Sequence, residues 1–445
     1  MKNHSDVLII GGGPAGRLVV HAIHAAKADL SVTLIKDEEV NVNRCAVPYG
    51  ISNKKPEQKF LISNALVTDF GAKLVIDHVR HIDTKKQEVT TEKGKTLTYF
   101  HLVLATGSNP VIPPFPGIEA GNITPVRSRE DMNRLRDWAD RYRRGVIVGG
   151  GYIGLEVAAV LKELGLDITL VEMMPHPLQG AAEKSIAVEV EDLFKAHGID
   201  IRTGVAVSEF LAEDRHVRAV RLEDDTEIDA DFAVLSIGVL PNTGMAKEAG
   251  IETTRFGISV DEHLRTSAPN VYASGDCAEK KSFITGRPTR GEFGTNAVFM
   301  SKVVAANILG GNQPFPGVVN ANASTAFGVG FGSAGLIEEN AVKEGLDVIC
   351  GYSEVLDRYP MMDGVDTIKT KLVFERTSRK LLGGSILRPG HCAAAGIDFV
   401  SLAIQKGVTL DDLLIHQYAT HPELAAKPSD NAFVFAAHNA AAMNI

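Results

Sequence analysis

Cysteine is scarce in this chain. Its 445 residues hold four, at positions 45, 277, 350 and 392, and no two are spaced C-x-x-C. That excludes a disulfide framework and offers no zinc site, so no metal centre is expected. Long apolar runs are absent too: none reaches the roughly 20 residues that a membrane-crossing helix needs. A basic excess is also missing. Lys and Arg total 46 against 55 Asp and Glu, a net charge of −9, which argues against a nucleic-acid or anionic-membrane partner. The opening MKNHSDVLII lacks a charged stretch followed by a long apolar one, so no signal peptide is expected. With the widely spaced cysteines, this points to a reducing, cytoplasmic setting.

Glycine, in contrast, is plentiful at 42 residues, and two clusters of it repeat one pattern. VLIIGGGPAG begins at residue 7 and VIVGGGYIG at residue 146. Each is an aliphatic run ending in G-x-G-x-x-G: Gly11, Gly13 and Gly16 around Pro14 and Ala15, then Gly149, Gly151 and Gly154 around Tyr152 and Ile153. Such a pattern predicts a buried parallel strand, a tight turn and a helix whose N-terminal amides hold a pyrophosphate. Two of them predict two dinucleotides in one polypeptide, held to pass electrons between them.

The duplication extends further. YFHLVLATGSNP, containing Ala105, Thr106 and Gly107, is echoed by FAVLSIGVLPN, containing Gly238. Residues 73–101 alternate in short patches and predict an antiparallel excursion. NPVIPPFPG has a linker composition. GTNAVFMSKVVAANILGG predicts a long helix closed by glycines, and TAFGVGFGSAG, IKTKLVFER and KLLGGSIL predict strands of a separate α+β region with helices behind them. The fold class is therefore α/β: two Rossmann-like domains followed by a C-terminal α+β domain.

A Rossmann unit places an acid at the end of its second strand to bind ribose hydroxyls. In the second copy that residue is Glu172, which would accept bonds from a ribose diol and repel a 2′-phosphate, so this site should prefer NADH. The first copy departs from the rule, with Lys36 in the acid position and Asp37 beside it.

NVNRCAVPYGIS follows the first unit directly. Its Cys45 is expected to open a helix, with Pro48 in the first turn, where free amides and the helix dipole favour a thiolate. Cys277, Cys350 and Cys392 read as core or surface thiols.

On these residues the sequence resembles the pyridine nucleotide-disulfide oxidoreductases, and more narrowly their single-cysteine branch of CoA-disulfide reductases and NADH oxidases or peroxidases. Gly275-Asp276 is similar to the family's second FAD fingerprint, in which the Asp holds the ribitol chain, and Ala105-Thr106-Gly107 to its A-T-G turn. The resemblance thus implies FAD at the first unit, with Val79 and Arg127 among its contacts. It implies a discontinuous FAD domain at 1–115 and 245–325, an NAD domain at 116–244 and a dimerisation domain at 326–445. Gly50 stands where two-cysteine relatives carry the second thiol, while Cys45, Pro48 and Tyr49 match the C-x-x-P-Y of CoA-disulfide reductases. Pro14 replaces the His that peroxidases and oxidases of the branch tend to carry. Only Lys27 stands late on the first helix, where CoA-disulfide reductases tend to have a basic pair; Lys54, Lys55 and Lys59 offer another anion patch. Tyr418 falls at the Tyr of Y-A-P-P, and His421-Pro422 is similar to the His-Pro of the two-cysteine enzymes, although Ala426 occupies the place of their orienting acid. Tyr359 is a further donor candidate.

The implied activity is transfer of electrons from NADH through FAD to Cys45 and on to a small disulfide, persulfide or polysulfide. A homodimer would share its active sites between subunits. Reduction of oxygen, and reduction of a small electron-transfer protein, remain alternatives.

Overall fold

The computed structural model describes residues 3–443. The chain divides into two compact units. One contains Met1–Val111, Arg127–Arg129 and Val239–Val318; the other contains Ile112–Val126, Glu130–Gly238 and Val319–Ile445. Among the described residues no helix is long and apolar enough to cross a membrane, and no cluster of ligating side chains could hold a metal.

The first unit is built on a seven-stranded sheet. His4–Ile10 lies between Val32–Lys36 and Thr96–Leu104, parallel to both, with Val7 opposite Val32 and Leu8 opposite Leu102. Val7, Leu8 and Ile9 are fully buried, as a parallel strand covered on both faces requires. Lys73–Ile76 adds a parallel edge, and Val271–Ala273 returns from far downstream to pair with Thr96–Leu104. The antiparallel excursion expected over 73–101 is narrower: Val79–Asp83 and Glu88–Thr91 form it against the start of Thr96–Leu104, while Lys73–Ile76 and the rest of Thr96–Leu104 pair parallel in the main sheet. The helices Pro14–Ala25 and Gly294–Ile308 pack against one another, and Ala15, Val19, Ala297 and Met300 share one core with the strands.

The second unit repeats the parallel core. Its five strands run in the order Ile123–Pro125, Phe232–Leu235, Arg144–Val148, Asp167–Glu172 and Asp200–Thr203, with an antiparallel ribbon, Val207–Glu213, His216–Leu222 and Glu227–Asp229, beside them. From residue 322 a five-stranded antiparallel sheet follows, ordered Asn322–Ala326, Val329–Gly335, Leu381–Pro389, Thr367–Glu375 and Val348–Leu356. Helices Ala393–Lys406 and Ala432–Ala442 pack on it. Gly407, at φ 65°, closes the first of these in the left-handed conformation that glycine adopts without strain. Lys371, on the last sheet, lies 3.0 Å from Glu183, whose side chain is 3% exposed and which precedes helix Lys184–Ala196, and also pairs with Glu338.

Candidate active site

The two glycine turns have the same geometry. Gly11 and Gly149 have φ of +119° and +104°. A Cβ on Gly11 would lie 2.0 Å from the Ala105 carbonyl oxygen, and one on Gly149 would lie 2.6 Å from that of Ser236. Gly16 and Gly154 press equally hard on the Gly11 and Gly149 carbonyls, each at 2.0 Å. Nothing stands within 4 Å of a Cβ on Gly13 or Gly151, so each turn is packed on its sheet side and open on the other. The helices behind them, Pro14–Ala25 and Tyr152–Glu163, carry no acid in the first turn. An open glycine face at an unopposed helix N-terminus is the shape and charge a pyrophosphate needs. Of the flanking residues, Ala15 is buried, while Tyr152 turns its side chain away. Its ring stacks on Phe331, its hydroxyl is 3.4 Å from Ser333, and burial pushes the phenol up to about 12. Ile153 is 44% exposed.

The strand-end residues differ. Glu172 accepts from the Gly150 amide at 2.6 Å and the Met174 amide at 2.8 Å, which fixes the carboxylate at the lip of the second turn. Lys36 is 5% exposed and lies across the first turn, where a Cβ on Gly12 would touch its Cδ at 2.6 Å. Its ammonium donates to Asn41 Oδ1 and Asn64 Oδ1, both at 2.7 Å, and to the Glu39 carbonyl at 3.3 Å. Lys36 thus ties the loop to the sheet. Asp37 is exposed and stands 3.7 Å from His78. Glu38 is bound by Asn41 and by Arg44 at 2.9 Å.

Around the first unit the A-T-G turn is locked by Asn242. Its amide N donates to the Gly107 carbonyl, its side chain donates to the Thr106 carbonyl, and its own carbonyl accepts from the Thr106 hydroxyl, all at 2.9 Å. Gly107 has φ +71°, and both Arg127 and Arg44 reach within 3.8 Å of its Cβ position. Asp276 accepts from Ser108 Oγ at 2.7 Å and faces Arg127 at 3.5 Å. Val79 is buried at the start of its strand. In the second unit Gly238, at φ +100°, follows the half-exposed Ile237. Arg44, Ser108 and Asn242 carry no motif of their own. The only signal was position: Arg44 precedes Cys45, and Asn242 closes the second echo of the A-T-G segment.

Cys45 lies in a 3₁₀ turn, Arg44–Ala46, ahead of a single helical turn, Val47–Gly50. Cys45 thus opens a helical segment with Pro48 in its first turn, as expected, but a single turn of helix supplies little dipole. The sulfur instead faces the start of a long helix: a Cβ on Gly294, the first residue of Gly294–Ile308, would lie 3.9 Å from Cys45 Sγ. That helix has no side-chain cap and no acid in its first turn. Cys45 is exposed. Cys277 is fully buried, its thiol bonded to the Leu104 and Ser274 carbonyls and pushed up by burial. Burial also pushes Cys350 up, to about 12. Cys392 is exposed, in the other unit.

A family model described as pyridine nucleotide-disulphide oxidoreductase matches residues 5–300, and one described as the dimerisation domain of that family matches residues 323–432. The chain belongs to the pyridine nucleotide-disulphide oxidoreductase family. An NADH oxidase from Methanocaldococcus jannaschii is 31% identical over 430 residues, 94% of this chain and 95% of the relative. The NAD(P)H coenzyme A polysulfide/persulfide reductase of Pyrococcus horikoshii is 28% identical over 427 residues, 94% and 95% of the two chains. Among solved structures, a NAD-dependent persulfide reductase from A. fulgidus superposes with a TM-score of 0.92 at 30% identity, covering 98% of this chain and 83% of that one. As a family member the protein is an FAD-dependent NAD(P)H oxidoreductase, with FAD and NADH as its expected cofactors. The residues present fit both: two open glycine turns, an acceptor-only Glu172 at the second, and the Asp276 and Thr106-Gly107 turns converging at the first.

In this oxidoreductase the C-terminal candidates belong to the second unit. Tyr418 donates to the Pro428 carbonyl at 2.5 Å, and His421 Nδ1 accepts from the Glu423 amide at 3.2 Å, so a neutral His421 carries its proton on Nε2. The Tyr359 amide donates to the Pro422 carbonyl at 3.1 Å, which ties the Tyr359 backbone to that segment. Ile415 and Leu424, on either side of Tyr418 and His421, are 80% and 76% exposed.

Proposed function

We propose that the protein is an NADH-dependent reductase of a low-molecular-weight disulfide, persulfide or polysulfide, acting through Cys45. The observation that carries this reading is the place of the sulfur: exposed, directly after the first dinucleotide unit, and at the N-terminus of an uncapped 15-residue helix. A helix N-terminus favours negative charge beside it, and the thiolate is the reactive form. When bound, FAD supplies the two-electron link between nicotinamide and sulfur. The remaining steps belong to side chains. The Cys45 thiolate attacks one sulfur of R–S–S–R′, forming a mixed disulfide and releasing R′S⁻. A second electron pair then breaks the mixed disulfide, releasing RS⁻ and restoring the Cys45 thiolate. Each leaving thiolate takes a proton, for which Tyr418 and His421, with Tyr359 bonded to the same segment, are the candidate donors. We assign these donors to the partner subunit of a homodimer, because exposed apolar residues surround them and the dimerisation model covers them. Glu172 sets the preference for NADH. The discontinuous domain plan and the FAD contacts named from the sequence are part of this proposal, as is the reducing, cytoplasmic compartment that suits a working thiol.

A second reading, reduction of oxygen, is supported by the oxidase name of the M. jannaschii relative. One experiment separates the two. NADH oxidation is followed with CoA disulfide, polysulfide, oxygen, peroxide and a small iron–sulfur protein as acceptors, for wild type and Cys45→Ser. Sulfur turnover that disappears in Cys45→Ser, while NADH still bleaches the flavin, is the expected outcome. Sulfur reduction that survives the substitution removes Cys45 from the mechanism. Wild-type turnover confined to oxygen or to the protein acceptor favours the corresponding alternative.

A further inference from the structure

Behind the Asp276 turn lie two largely buried charges, Lys280 and Glu292, that the proposed chemistry leaves unused. Lys280 sits on a hairpin opposite Thr289 and is only 2% exposed. Its ammonium donates to the Ala278 carbonyl at 2.9 Å and the Asp276 carbonyl at 3.4 Å, so the cation is bound to the backbone of the turn whose side chain faces FAD. The second member is Glu292, with a side chain 13% exposed. Its Oε2 accepts from the Gly291 amide at 3.1 Å. Its Oε1 is buried and accepts no hydrogen bond; the nearest cation is Arg290 at 3.6 Å, whose side chain is 47% exposed and therefore screened. Among the charged groups around the Lys280 ammonium, Glu292 acts most strongly, ahead of Asp276. Two residues after Glu292 comes Gly294, the residue beside Cys45 Sγ.

Stability alone gives no reason for this arrangement, since taking a charge out of water is costly and apolar residues of the same volume are often at least as stable. The position does give one. Two-electron reduction of the flavin with uptake of one proton adds one negative charge to it, and opening a Cys45 disulfide adds charge at the sulfur. A buried ammonium favours that gain and a buried carboxylate opposes it.

We propose that Lys280 and Glu292 set the reduction potential of the FAD–Cys45 centre with opposite signs, Lys280 favouring the reduced state and Glu292 the oxidised state. The inference rests on FAD lying against the Asp276 turn. At an effective dielectric near 20, one charge acting across roughly 10 Å shifts the reduction equilibrium about tenfold, or ~30 mV for a two-electron couple.

The test equilibrates FAD-loaded wild type, Lys280→Met, Glu292→Gln and the double variant with a reference dye of known potential. Lys280→Met should lower the flavin potential, Glu292→Gln should raise it, and the double variant should return towards wild type. A role confined to packing moves neither potential, or moves both the same way, and either result overturns the inference. Should Lys280→Met fail to fold, the near-isosteric Glu292→Gln decides alone: an upward shift supports the proposal and no shift or a downward one refutes it. A wild-type protein that holds no FAD would instead refute the functional reading beneath it.

Discussion

The two dinucleotide turns agree in their backbone and disagree in one side chain. At Gly11 and Gly149, Gly13 and Gly151, Gly16 and Gly154, the close approaches and the open faces correspond position by position. At the end of the second strand they part: Glu172 is an acceptor pinned by two amides, whereas Lys36 is a donor turned onto three oxygens. The glycines answer to the chain's own packing, which is the same for any pyrophosphate. The strand-end residue answers to what lies beyond the pyrophosphate. On the proposed reading, in the second copy that is a ribose diol, which a carboxylate would read. In the first, the lysine serves the loop that leads to Cys45, since Asn41 and Asn64 are held by it on either side of that turn.

The largest effects should come from breaking the shared part. Gly11→Ala and Gly149→Ala each force a Cβ against a carbonyl at a positive φ, a strain of roughly 1–3 kcal/mol or more. The first should purify without bound FAD, read as loss of absorbance near the flavin band. The second should keep its flavin and lose saturable reduction by NADH. If Gly11→Ala retains FAD and Gly149→Ala does not, the two sites have been assigned in reverse.

Exchanging the side chains that differ sharpens the contrast. Glu172→Gln removes a charged ribose acceptor, and the NADH over NADPH preference in kcat/KM should narrow by about 1–3 kcal/mol, or roughly tenfold to a hundredfold. Lys36→Glu restores the acid to the first site and should nevertheless do harm. It sets a carboxylate among the oxygens of Asn41, Asn64 and Glu39 and beside Glu38, costing on the order of 1–3 kcal/mol of unfolding stability. Tighter FAD binding in Lys36→Glu, without that loss, would mean the lysine had displaced a ribose contact and not gained a structural one.

The parts of the molecule that sequence made legible are those where backbone geometry restricts residue choice. Both glycine turns, the central strands, the antiparallel part of 73–101 and the closing helices all carry local patterns. The unreadable parts are polar contacts between distant positions. Nothing near Lys36 announces Asn64, nothing near Thr106 announces Asn242, and no local pattern marks Lys280 or Glu292 as buried. Arg127 lies near the start of the stretch expected to be the NAD domain, yet residues 127–129 group with the first unit. The long helix that faces Cys45 is likewise supplied from position 294, far from the segment that follows the cysteine, so no local pattern announces it.

The smallest expected effect separates the two copies by pH. Burial, the dominant influence, holds the Lys36 ammonium below its ordinary value of 10.5, with Arg17 acting in the same direction and Glu38 and Asp37 against it. Between its folded value and 10.5 the unfolded chain therefore binds more protons at this position than the folded one does, so the Lys36 contribution to stability rises with pH across that window. Denaturant unfolding of wild type and Lys36→Met at several pH values between about 8 and 10 should show the wild type gaining on the variant as pH increases. Lys280, also lowered by burial, is present in both proteins and cancels from the difference. A gap that stays constant, or that shrinks towards alkaline pH, would mean that Lys36 is solvated in solution, and the structural role that distinguishes it from Glu172 would fall with it.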